Sequence, residues 1–91
     1  MKTIWKFQLD ITGEQTISVP KDTLLLQTVK VQGSIPVIWG MCDSSIKEKE
    51  DVIIVTLGTG NLIPENIGKL HYIGTYQLST FVGHVFVKIR P

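Results

Sequence analysis

Gly58-Thr59-Gly60-Asn61 is the stretch whose residue types come nearest to chemistry. It follows the apolar run Val52–Leu57 and precedes Leu62-Ile63-Pro64. Many phosphate sites begin as a strand running into a glycine loop. A dinucleotide fingerprint, however, needs a third glycine and a helix whose N-terminus faces the pyrophosphate. Here Ile63 stands at the third glycine position and Pro64 follows it. A P-loop needs Gly-Lys-Ser/Thr after four spacers, and that is absent. What remains is an anion-binding nest of successive backbone N–H groups, with Thr59 and Asn61 adding side-chain donors. The plainer alternative is a turn that packs Leu62 and Ile63 back onto a sheet.

His84, in Gly83-His84-Val85-Phe86-Val87, is the other polar residue of interest. A histidine acting as general base needs an oriented nucleophile and a further partner. Ser44, Ser45, Ser79 and Cys42 lie in no nucleophile motif, and Glu48 and Glu50 sit in a solvated charge run. No catalytic set and no cofactor are expected. One cysteine and two histidines, His71 and His84, argue against a structural zinc site within one chain. Tyr72, Gly74 and Tyr76 share one strand face by period two, so Gly74 would open space between two rings for a ligand ring, a partner side chain or Trp39. The candidate binding residues are therefore Gly58, Thr59, Gly60, Asn61, Tyr72, Gly74, Tyr76 and His84. For Trp5, Trp39, Tyr72 and Tyr76 core packing is the ordinary role.

The elements that must position these residues alternate with period two. Trp5, Phe7 and Leu9 oppose Lys6 and Gln8, and Ile17 and Val19 point inward from a second strand. Asp10–Gly13 reads as a hairpin turn that sets Trp5 opposite Ile17. In the third strand Leu24 and Leu26 share one face and Val29 and Val31 the other, which predicts either a bulge near Gln27 or burial on both faces. Gly33-Ser34 is a two-residue hairpin signal. A fourth strand holds Val37, Trp39 and Met41 on one side. Asp43–Asp51 is expected to be a loop and Val52–Leu57 a central strand, apolar on both faces. Pro64–Gly68 suits one helical turn. Leu70–Leu78 and Val82–Ile89 complete the set. The expectation is a single all-β domain over residues 1–91, an antiparallel sandwich or barrel of about seven strands.

Composition narrows the partners. At 91 residues and 43% hydrophobic the chain is globular, and oligomerisation is one way to bury its apolar excess. The net charge of +1 comes from scattered lysines and one arginine, not from the basic stripe of a nucleic-acid binder. Apolar runs are far shorter than the roughly 20 residues of a membrane span. A lone cysteine and the lack of a secretory signal point to the cytoplasm.

Four stretches, in order, resemble a family of small bacteriophage proteins of unknown function: Met1-Lys2-Thr3-Ile4-Trp5-Lys6-Phe7, Gly58-Thr59-Gly60 with Ile63-Pro64, Tyr72-Ile73-Gly74-Thr75-Tyr76-Gln77-Leu78, and His84-Val85-Phe86. Pro36-Val37-Ile38-Trp39-Gly40 corresponds to that family's Pro-Cys-Leu-Trp-Ala. Asn61 stands where the family has histidine, and Gly83 where it has phenylalanine, which weakens any shared acid–base or metal pair. The resemblance implies an accessory protein acting in the host bacterial cytoplasm. Its expected role is to bind and inhibit a host protein, such as one of a defence system, without catalysis. The alternatives are an oligomeric sponge for a nucleotide immune signal and a structural virion component.

Overall fold

The computed structural model describes residues 1–89. Seven strands follow one another: β1 (Lys2–Gln8), β2 (Glu14–Pro20), β3 (Leu24–Gln32), β4 (Ile35–Asp43), β5 (Lys49–Gly58), β6 (Leu70–Leu78) and β7 (Phe81–Lys88). They form two antiparallel sheets, one of three strands in the order β1-β4-β3 and one of four in the order β2-β5-β7-β6. The sheets pack face to face as a sandwich. No helix among the described residues is long and apolar enough to cross a membrane.

The alternation of each strand supplies the core. Leu9, Val29 and Ile38 from the three-stranded side meet Ile54, Ile73, Tyr76 and Val85 from the four-stranded side. β5 lies between β2 and β7, as its two-sided apolar sequence predicts. Gly33 and Ser34 both have positive φ, 55° and 71°, so the β3–β4 connection is a two-residue turn whose twist matches its strands. The β3–β4 register shifts between Leu25 and Val29, which places a bulge at the expected site and turns Leu24 outward while Val29 points in.

Three expectations need correction. β1 and β2 form no hairpin: Trp5 pairs with Gly40 of β4 and Ile17 with Val52 of β5, in different sheets. The Asp10–Gly13 segment is a crossover between layers, and turn residues serve a crossover as well as a hairpin. Second, β5 starts at Lys49, because Lys49, Glu50 and Asp51 pair with Pro20, Val19 and Ser18. The end of the charge run is thus strand. Third, Pro64–Ile67 is a β-turn closed by Ile67 N–H to the Pro64 carbonyl at 3.2 Å, not a helical turn.

Candidate functional site

The segment after β5 folds back over the outer face of the four-stranded sheet. Its first four residues make a β-turn: Asn61 N–H donates to the Gly58 carbonyl at 3.1 Å. Gly60 takes φ +87°, the left-handed value that the third position of a type II turn requires. The Asn61 side chain lies so close over Gly58 that a Cβ there would stand 2.7 Å from Asn61 Nδ2. Thr59 N–H donates to the Val82 carbonyl at 3.3 Å. Two of the amides that an anion nest would present are therefore already spent inside the protein.

The Thr59 side chain meets His84. Leu57 and His84 are register partners, which brings the start of the loop over the middle of β7. Thr59 Oγ1 and His84 Nε2 share a hydrogen bond of 2.6 Å. On the other side of the ring, His84 Nδ1 and Thr75 Oγ1 are 3.0 Å apart. Thr75 Oγ1 and the Tyr72 hydroxyl are 2.6 Å apart. A neutral imidazole has one N–H donor and one acceptor nitrogen, and threonine hydroxyls can satisfy either. The four side chains form one continuous polar relay, Thr59–His84–Thr75–Tyr72, that ties the loop to β6 and β7. Both ring nitrogens of His84 are engaged.

Beside this relay lies a shallow hollow of about 250 Å³, walled by Gly60, Asn61, Ile63, His84 and Phe86. No lysine, arginine, aspartate or glutamate lines it. The Tyr72 and Phe86 rings stand 5.5 Å apart, tilted by 60°. Beyond it the loop carries Leu62 and Ile63, 95% and 62% exposed, so this turn does not pack them back on the sheet.

Tyr72 and Tyr76 do not share a face. The β6–β7 register shifts between Tyr72 and Gly74, and this bulge inverts the alternation of the second half of β6. Tyr72 stays outside, while Tyr76 is 4% exposed and sits edge-on to Phe81 in the core. Its hydroxyl has no hydrogen-bond partner. The open space expected at Gly74 is filled: a Cβ there would lie 2.9 Å from Val29 Cγ1 and 3.2 Å from the Val29 backbone nitrogen. Gly74 is the point where β3 presses on β6. Of the candidate residues, Gly58, Thr59, Gly60, Asn61, Tyr72 and His84 gather on the outer face, and Gly74 and Tyr76 lie inside.

Thr75 and Phe86 belong to the outer cluster and escaped notice in the sequence. The available signal was register: in the β6–β7 hairpin Thr75 stands opposite His84 and Phe86 opposite Tyr72. Of the four large aromatics, only Tyr76 is in the core. Trp5 is 38% exposed, with the Lys49 ammonium 5.4 Å from its ring centre. Among the described residues no three histidine, cysteine, aspartate or glutamate side chains are grouped to hold a metal ion.

The profile of a domain of unknown function, DUF7352, matches residues 1–91. The chain belongs to this family. No curated protein and no solved structure matches the chain. The loop and the histidine relay are thus features of one member of the DUF7352 family, and its function has to be argued from their geometry.

Proposed function

We propose that this DUF7352 member is a small binding protein that inhibits a protein of a bacterial host by direct contact, without catalysis, and that it is a bacteriophage accessory protein acting in the host cytoplasm. The observation that carries the proposal is the loop. It holds Leu62 and Ile63 out in solvent, 95% and 62% exposed, while Thr59 and the left-handed Gly60 fix its base. Exposing a leucine and an isoleucine side by side on a fixed loop costs solubility, and covering them with a partner recovers that cost. His84 acts as a strut: with a hydroxyl on each ring nitrogen it positions the loop. The phage origin rests on the four motifs shared with small phage proteins. A nucleotide-sequestering role has less support, because the hollow has no lysine or arginine to meet a phosphate and Tyr76 offers no second stacking surface.

The test is capture from a bacterial lysate by the tagged chain, compared with Leu62→Asp and Ile63→Asp. One host protein should be retained by the parent and lost by both variants, with thermal unfolding unchanged because these side chains are exposed. Retention undiminished by either substitution would move the contact elsewhere. A thermal shift on adding cyclic nucleotides, with no protein captured, would favour sequestration instead.

A further inference from the structure

The outer face of the three-stranded sheet is closed over one half and open over the other. In the closed half, Lys6 Nζ reaches across β4 to donate to Gln32 Oε1 at 2.9 Å, and Val37 on that face is only 1% exposed. In the open half, Ile4, Met41 and Leu24 are register partners on the three adjacent strands. Their side chains therefore stand in one row across the sheet, about 4.8 Å from strand to strand. They are 56%, 42% and 60% exposed. The row floors a depression of about 430 Å³ that Lys2 bounds at the β1 edge and Asp22 at the β3 edge. Among the described residues neither Lys2 nor Asp22 has an ion-pair partner within the chain.

We propose that this face is the interface of a symmetric homodimer. The argument is the order of charge across the row: positive at the β1 edge, apolar in the middle, negative at the β3 edge. A twofold axis parallel to β4 and passing over Met41 lays the β1 edge of one copy on the β3 edge of the other. Lys2 then meets Asp22 twice, Ile4 meets Leu24 twice, and Met41 meets its own copy. Such an isologous contact is self-complementary. Two sheets stack in this way at about 10 Å, a distance that side chains of this size fill. The other in-plane twofold, perpendicular to the strands, lays β1 on itself and sets Lys2 against Lys6, so charge selects the first arrangement. The dimer covers the face opposite to the core, and it leaves the Leu62–Ile63 loop, on the other sheet, free for a different partner.

Sedimentation of the full chain at micromolar concentration tests this, with thermal unfolding run in parallel to verify that each variant folds. The parent should sediment as a dimer. Met41→Asp should raise the dimer dissociation constant about 30-fold, as loss of a central anchor does. Lys2→Glu should raise it about tenfold by setting two carboxylates together, and Lys2→Glu combined with Asp22→Lys should restore dimerisation. A folded parent that sediments as a monomer overturns the proposal. So does an oligomer insensitive to Met41→Asp, or one that Leu62→Asp abolishes, since either places the contact elsewhere. A charge pair that fails to rescue, with both variants folded, overturns the assigned axis.

Discussion

Tyr76 carries a hydroxyl into the core of this sandwich and leaves it without a partner. A buried hydroxyl that has lost its water costs free energy, and removing it costs nothing in shape. Tyr76→Phe is therefore expected to stabilise the protein by about 1 kcal/mol, read as a higher midpoint in chemical denaturation. Burial also pushes the Tyr76 phenol above its ordinary value of 10.0. The folded state then holds this proton more tightly than the unfolded chain does, so its share of stability is complete below pH 10 and falls away as the pH climbs beyond it. An alkaline titration of the parent should show that decline, and in Tyr76→Phe it should be shallower. His84 shows the opposite economy, since both of its ring nitrogens are matched by threonine hydroxyls. The sequence exposed His84 as a strand residue on the Phe86 face. It concealed the partners, because Thr59 arrives from a loop whose path no periodicity records.

At the scale of elements, the glycines of β6 and β7 mark where strands press on neighbours. A methyl group at Gly74 would collide with the Val29 side chain and backbone, and one at Gly83 would lie 2.9 Å from Phe81, 3.0 Å from Thr56 and 3.0 Å from Tyr76. Gly74→Ala and Gly83→Ala should each lower stability by about 1–3 kcal/mol, as overpacking does. Gly13→Ala is the control: nothing lies within 4 Å of a Cβ there, and its midpoint should barely move. Strand existence was legible throughout, because alternation of apolar and polar residues follows from the pleat alone. The Gly33-Ser34 turn and the bulge near Gln27 were legible for the same reason, each being a local break in a local pattern. Strand partners were not. Alternation tells which side of a strand is buried and says nothing of which strand lies beside it, so the Asp10–Gly13 crossover looked like a hairpin. The second bulge, between Tyr72 and Gly74, left no mark either, because both tyrosines are acceptable inside or outside.

The whole molecule is held together by distant segments. Lys2 pairs with Asp43 and Glu14 with Val55, so two of the strand pairs close only after much of the chain has been gathered. Loop closure must be met before such contacts give anything back. Refolding from denaturant should therefore take milliseconds to seconds, the range of all-β domains of non-local topology, and a stopped-flow trace in microseconds would contradict this topology. The outer surfaces divide the labour: one sheet presents the Ile4–Met41–Leu24 row and the other the Leu62–Ile63 loop. Composition foretold an apolar surplus. Its division between two faces depends on the crossover, which composition does not encode.

The bulge in β6 acts on side-chain direction as a shift of reading frame acts on codons. Upstream of it the odd and even positions have one meaning, and downstream they have the other. Deleting Gly74 would remove the extra residue: Tyr72 and Tyr76 would then stand three positions apart and keep their opposite sides, outside and inside, in one unbroken alternation. A deletion elsewhere in the strand leaves the bulge in place and turns the residues on one side of the cut inside out, and losing Gly74 as well would not mend it. A library of single-residue deletions should therefore be intolerant across Leu70–Leu78 except at the bulge, Ile73–Gly74, while the exposed Leu62 and Ile63, which lie between two closed turns, can be lost without breaking a frame.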